Sequence, residues 1–537
     1  MEARHHLYLF VVAFVFYGQS GLAVSADQSS VVYPWPMPTF YYAKEFFYII
    51  DTDHFDFRAT NNTCNILKEA FHRYAAIILG SAAKEQQSGA TNGSKSTTVG
   101  DSVTEVMVQV NTPCNDGDRP RADSDESYYI SVNAAALVMA NEVWGAMRGL
   151  ETFSQLIYQD DMGRLLVNES EVTDKPRFGY RGILIDTSNH FISVPLLLQN
   201  LDAMELNKFN VFHWHIVDDI SFPYQSEQFP NLSDKGAYNK YTHVYSKTDI
   251  IQVIEYGRLR GIRVIVEFDT PGHTLSWGKG QPDLLTKCYT GDKPNGQFGP
   301  INPIRQSTYK FLDSLFAEVG RLFPDDYIHI GGNDVNFRCW ESNPEIKEFM
   351  KQMNYTAVQL EQYYFQKVLN IVRDLYTKNI VWQDAYDNGV LSAGTIYQVW
   401  KSDWQSTIAR LTAAAYETIL SSCWFLDNIS KSNDWIKYYQ CDPYDFNGSM
   451  ENKKHVKGGE ASLWSTYIDD TNLMTTIWPR ASAVGERLWS DISVNNVTAA
   501  FPRLIENHCR MVRRGIPAEP LGPGYCIKEY KAPVSMN

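Results

Sequence analysis

The chain has 537 residues, of which 44% are apolar and 13% aromatic, enough for a large core and for more than one domain. Its formal net charge of −14 argues against nucleic acid as a partner, because a phosphate backbone is met by an excess of lysine and arginine. Beyond the first residues no stretch is apolar enough to span a bilayer, which argues against a membrane-spanning chain.

The N-terminus reads as a secretory signal over residues 1–26. Arg4, His5 and His6 precede an apolar run from Leu7 to Tyr17, and Val24-Ser25-Ala26 fits a cleavage site before Asp27. The run is too short to serve as a membrane anchor. Eight Asn-x-Ser/Thr sequons agree with a secretory route and with a glycoprotein: Asn61, Asn92, Asn168, Asn231, Asn354, Asn428, Asn447 and Asn496. So do the eight cysteines, Cys64, Cys114, Cys288, Cys339, Cys423, Cys441, Cys509 and Cys526. An even count in a secreted chain points to disulfides, and spacing alone leaves their pairing open. No zinc-type Cys-x-x-Cys occurs, so neither a metal nor a cofactor is expected.

Residues 27–175 are expected to form a smaller α+β domain. Val106–Val110 and Ser127–Val132 are β-branched, apolar runs of strand length. Gln86–Gly100 and Asn115–Glu126 are polar and read as exposed loops. Glu142–Ile157 has helical spacing, with Val143, Met147, Leu150 and Phe153 on one side.

From residue 176 to 537 the pattern changes. Eight runs of strand length follow one another: Gly182–Thr187, Asn210–Val217, Arg263–Asp269, Tyr327–Gly332, Ile380–Asp384, Thr395–Trp400, Thr418–Trp424 and Gly458–Trp464. Leu196–Asn207, Lys247–Arg260, Ser307–Leu322 and Val358–Thr377 read as helices between them. This alternation predicts an α/β fold, a (β/α)8 TIM barrel preceded by the α+β domain. An open doubly wound sheet fits less well, since neither a Gly-x-Gly-x-x-Gly turn nor a phosphate loop is present. The runs end in Asp186, Asp218-Asp219, Asp269, Asn333-Asp334, Asp384, Trp400, Trp424 and Trp464. Polar and aromatic groups gathered at one end of a barrel suit a carbohydrate pocket, with acids on hydroxyls and indoles on the ring face.

The fourth run opens the segment on which function turns, His329-Ile330-Gly331-Gly332-Asn333-Asp334. It resembles the His-x-Gly-Gly-Asp-Glu signature of the family 20 glycoside hydrolases, in particular the animal lysosomal β-N-acetylhexosaminidase type. His213–Asp219 and Glu267–His273 match that family as well, and the likeness runs from about Tyr41 to Cys526.

The resemblance implies a substrate-assisted reaction on terminal β-linked GlcNAc or GalNAc, in which the 2-acetamido oxygen attacks C1. It places Asp334 at the proton-donor position and Asn333 at the acetamide-orienting position. It places Asp218, His273, Trp382, Trp400, Trp464 and Asp427 in the substrate site. It also implies the disulfides Cys64–Cys114, Cys288–Cys339 and Cys509–Cys526. Cys423 and Cys441 then either pair or leave Cys423 as a buried thiol. The family's usual homo- or heterodimer and a lysosomal or extracellular location follow from the same likeness.

Five positions depart from the pattern. An amide at Asn333 removes the charge that would balance a cationic intermediate. Asp334 is one methylene shorter than the family's glutamate, about 1.5 Å, and a misplacement of about 1 Å costs on the order of 10²-fold. Asn189 stands where the family has a sugar-gripping arginine. Phe425 lacks a tyrosine hydroxyl, and Thr466 replaces a glutamate. These changes predict a sugar pocket with weak or no turnover; the alternative is an active exo-β-N-acetylhexosaminidase. A glycan on Asn428, beside Asp427, is expected to obstruct the pocket.

Overall fold

The computed structural model describes residues 33–83, 102–160, 162–376, 378–428 and 433–526. The signal segment, the Gln86–Gly100 loop and Asn92 lie outside these residues.

The N-terminal part is an eight-stranded sheet. Its strands are β1 Phe40–Ile50, β2 Asp56–Ala59, β3 Ser102–Val103, β4 Glu105–Val110, β5 Tyr128–Val132, β6 Ala136–Ala140, β7 Ile157–Gln159 and β8 Leu165–Asp174. The order is β2-β4-β6-β5-β8-β1-β3, with β7 added along β8. In β4, β5 and β6 every second residue is buried, the period of a sheet with one face on a core. The helix Val143–Leu156 was expected to bury one side. It is buried almost throughout, because it also meets the barrel: Arg148 on it donates to Glu126 at 2.8 Å and to the carbonyl of Gly261.

The barrel strands are β9 Tyr180–Asp186, β10 Val211–Val217, β11 Arg263–Phe268, β14 Tyr327–His329, β15 Lys378–Trp382, β16 Thr395–Val399, β17 Glu417–Leu420 and β18 Val456–Leu463. Each pairs in parallel with the next, and β18 closes onto β9. All eight expected runs form barrel strands. The fourth is shorter than expected because Gly331 and Gly332 turn the backbone out of the strand at φ +71° and +95°. Between β11 and β14 the chain inserts a hairpin that the sequence reading did not anticipate, β12 Leu285–Thr290 and β13 Lys293–Ile301.

Four disulfides are present: Cys64–Cys114, Cys288–Cys339, Cys423–Cys441 and Cys509–Cys526. The Cys423–Cys441 alternative is thereby resolved in favour of pairing. Asn61, Asn231, Asn354, Asn428, Asn447 and Asn496 are exposed. Asn168 is 4% exposed, and its amide nitrogen donates to the carbonyl of Lys44 at 2.6 Å.

Candidate active site

The site forms where β10, β11 and β14 end. The turn after β14 requires both glycines. A Cβ on Gly331 would lie 1.7 Å from Oδ1 of Asp269, and one on Gly332 would lie 2.6 Å from the Phe365 ring. The Gly332 amide donates to Asp269 Oδ1 at 2.9 Å and fixes the turn. Asn333 emerges half-buried and Asp334 exposed, the latter itself in the left-handed region at φ +47°. The Asn333 Oδ1 atom is buried and has no hydrogen-bond partner among the described residues.

Behind the turn a chain of ionic hydrogen bonds runs through the barrel. His273 Nδ1 donates to Asp218 Oδ1 at 3.2 Å, and His215 Nε2 donates to Asp218 Oδ2 at 3.0 Å. His215 Nδ1 reaches Glu267 Oε2 at 2.8 Å, and Trp382 Nε1 donates to Glu267 Oε1 at 2.7 Å. Deeper still, His213 Nδ1 bonds Glu460 Oε1 at 2.9 Å, and Tyr180 donates its hydroxyl to Glu460 Oε2 at 2.6 Å.

The titration of these groups follows from their pairing. Burial alone would push His213 down, but Glu460 and Glu267 outweigh it and hold it at about 9. The same contest, with Asp269 and Asp218 opposing burial, lifts His273 to about 10. His215 is raised against burial by Glu267 and Asp218. Glu267, Glu460 and Asp218 are lowered despite burial by their imidazole partners. Burial is the largest influence on both Asp269, which it raises, and His329, which it lowers. Three imidazolium groups thus face three carboxylates. Asp218, Asp219 and His273 lie close enough together to hold a cation, as do His213, Glu267 and His329. In both groups these ion pairs already occupy donor atoms.

Outside Asp334 opens a cleft of about 990 Å³, whose lining includes Asp219, His273, Lys287, Phe298, Asp334 and Arg338. Trp382, Trp400, Trp464 and Asp427, expected to share one pocket with Asp334, do not line this cleft. Trp464 packs edge-on against His215 at 4.9 Å and lies 6.0 Å from Trp382. Trp400 donates to Asp384 Oδ2 at 2.8 Å and meets the Phe425 ring at 6.3 Å. Asp427 is exposed in the loop after β17. Trp382 and Trp464 therefore form a second cluster, joined to the cleft through His215, Asp218 and His273.

Three strand-end residues read as pocket groups are not. Asp186 is fully buried, accepting from the amides of Ser188 and Asn189 and from the Ser465 amide and hydroxyl. It clips the end of β9 to the end of β18. Trp424 is fully buried, with its Nε1 on the carbonyl of Tyr438. Asp384 is 8% exposed and holds Trp400 and Lys401. Asn189 turns its amide onto Asp186 at 2.8 Å, and Thr466 is exposed.

Glu267 and His215, within the matched motifs, and Glu460 are functional groups to which the motifs alone assign no role. The signal was available. His213 and His215 sit two apart on β10, Glu267 pairs in register with both His215 and His329, and each interrupts an otherwise apolar barrel strand. Charge at inward positions with period two marks a barrel-centre network.

Comparison with known proteins agrees with this architecture. Residues 178–492 match the family described as glycosyl hydrolase family 20, catalytic domain, and residues 34–156 match a beta-acetyl hexosaminidase-like domain. The chain is 51% identical to the beta-hexosaminidase subunit beta of Felis catus over 507 residues, covering 93% of this chain and 94% of that one. It is 49% identical to the Homo sapiens subunit beta over 508 residues, with 92% and 90% covered. It is 44% identical to the Mus musculus subunit alpha over 521 residues, with 95% and 97% covered. Among solved structures, a Flavobacterium johnsoniae chitobiase superposes with a TM-score of 0.78 at 26% identity, covering 90% of this chain and 73% of that one. Fold, barrel-end geometry and these likenesses together establish that the chain belongs to glycosyl hydrolase family 20.

Proposed function

We propose that the chain binds a terminal β-linked N-acetylhexosamine and hydrolyses it weakly or not at all. The observation that carries this reading is the Asn333-Asp334 pair after the Gly331-Gly332 turn. The buried, unpartnered Oδ1 of Asn333 suits a substrate acetamide N–H. An amide accepts that hydrogen bond but supplies no negative charge to a developing cation. Asp334 supplies a carboxyl from an exposed position with a short reach. Trp464, half-buried beside His215, offers an aromatic face to the sugar, and Trp382, 2% exposed, supports it at 6.0 Å. Asn189 is tied to Asp186, and Phe425 has no hydroxyl to give. The leaving group would then point past Asp334 into the cleft. A secretory-route protein of the lysosome or the extracellular space, working as a dimer, fits the same reading. Hydrolysis of a chromogenic β-GlcNAc substrate by purified protein across acidic pH tests it. Turnover equal to that of an active relative would establish the active exo-β-N-acetylhexosaminidase instead.

A further inference from the structure

We propose that Glu361 is a positioning residue for the sugar site: fully buried, it secures the short helix Gln383–Asp387, which sets Trp400. The inference rests on the pocket reading above and adds to it a residue that touches no sugar.

Glu361 lies on the helix Ala357–Arg373 and is 0% exposed. Its Oε2 accepts from Nδ2 of Asn388 at 2.8 Å, and its Oε1 has no partner among the described residues. Beside it, Gln362 donates to the Asn388 carbonyl at 2.7 Å. The two side chains thus grip the residue that ends the helix Gln383–Asp387. The start of that helix holds Trp400. Gln383 Oε1 accepts from the backbone amides of Trp400 and Lys401 at 3.3 and 3.0 Å, and Asp384 Oδ2 accepts from the indole at 2.8 Å. Trp400 meets the Phe425 ring at 6.3 Å, and Phe425 bridges to Ser462, two residues before Trp464. An unbroken set of contacts therefore runs from Glu361 to the neighbourhood of Trp464.

A carboxyl buried with an amide for its partner favours the neutral form. Two charged groups act on it. Asp384, on the short helix, opposes its ionisation, and Lys401, in the segment after β16, favours it. Lys401 is itself engaged, 2.9 Å from both Asp384 and Asp387. The helix Gln306–Leu322 and β15 also pack on the helix that carries Glu361. Among the described residues they add no charged group that acts on it. Burial lifts Glu361 to about 8, with Asn388 resisting and Asp384 assisting. The proton is held through the acidic and neutral range and lost as pH rises through about 8. A second carboxylate then stands beside Asp384 and draws on Lys401, so the hold on Trp400 loosens.

The test is isothermal titration of the full-length protein with a sulfur-linked, non-hydrolysable β-GlcNAc glycoside at pH 6 and pH 9. It compares the parent, E361Q, W400F and the double variant. From pH 6 to pH 9 the affinity of the parent should fall about threefold to tenfold further than that of E361Q, the scale of coupling through packed side chains. W400F removes the indole donor to Asp384, so in its presence E361Q should no longer change the pH dependence. A merely structural Glu361 would leave parent and E361Q with the same pH dependence of binding, and that result overturns the inference. So does an effect of E361Q that persists undiminished in W400F. Binding at neither pH overturns the pocket reading, and hydrogen exchange then decides the inference by itself. Between pH 6 and pH 9, corrected for the intrinsic exchange rate, residues 383–389 should lose protection in the parent and keep it in E361Q. Equal loss in both overturns it.

Discussion

Trp382 donates its indole N–H to one oxygen of Glu267 at 2.7 Å, while the other oxygen of that carboxylate takes His215 at 2.8 Å. One buried acid therefore orients an indole of the aromatic cluster and, through His215 and Asp218, the His273 imidazole at the cleft. Removing its charge should disturb both. Glu267→Gln leaves imidazolium groups buried without their partner, a loss of about 3–5 kcal/mol. Thermal unfolding should report the loss, and quenching of tryptophan emission by acrylamide should show a more accessible indole. Unchanged stability and quenching would remove Glu267 from this role.

Stability should fall with rising pH through two overlapping windows, one set by Glu361 and one by His213. His213 is held at about 9, so its contribution is complete below the ordinary histidine value and is lost as pH rises through about 9. Glu361 behaves oppositely to a paired acid: burial, opposed by Asn388 and reinforced by Asp384, raises it to about 8. Its Oε1 has no partner among the described residues. The folded chain keeps this proton after the unfolded chain has lost it, so stability falls between the ordinary glutamate value and about 8, then levels. Glu361→Gln should match the parent near pH 4 and exceed it by about 1–3 kcal/mol at pH 8. Denaturant melts at both pH values check this, and equal stability at pH 8 would refute it.

The Cys288–Cys339 bridge spans 51 residues. By the chain-entropy relation, closing a loop of that length is worth about 4 kcal/mol. C288S/C339S should lower the melting temperature accordingly and expose the hairpin to protease. An unaltered melting temperature would mean that the hydrogen bonds from Trp340 to the Ile301 carbonyl and from Asn343 to that of Lys287 hold the hairpin without it.

Glycopeptide mapping of protein secreted from animal cells should find Asn168 unmodified. The exposed Asn61, Asn231, Asn354, Asn447 and Asn496 remain open to occupancy. A glycan on Asn168 would contradict its burial against the Lys44 carbonyl. If Asn428 carries a glycan, removing the sequon with Ser430→Ala should strengthen sugar binding. Finding Asn428 bare ends the idea that a glycan obstructs the pocket.

Much of this architecture was legible in the sequence because a parallel barrel strand is buried on both sides and reads as a continuous apolar run. The Gly331-Gly332 turn was legible too, since positive φ there leaves glycine as the natural choice. The β12–β13 hairpin was not. Lys293–Ile301 is largely exposed, so no apolar alternation announces it. Strand-end residues misled for a related reason. A side chain at a strand end can turn toward a residue that lines the cleft, as Asp218 does toward His273, or sideways onto the next strand, as Asp186 does onto Ser465. Sequence spacing is the same in both cases. The difference lies in which backbone donors come within reach, and those belong to strands far apart in the chain.

The most direct test of the account compares kcat/KM for a chromogenic β-GlcNAc substrate between the parent chain and N333D/D334E. Restoring charge at 333 and reach at 334 should raise kcat/KM at least about a hundredfold, the cost expected for a misplacement of about 1 Å. Under the proposed reading full activity should still be missing, since N333D/D334E leaves Asn189, Phe425 and Thr466 unchanged. A parent chain that already hydrolyses the substrate as fast as N333D/D334E would contradict the account.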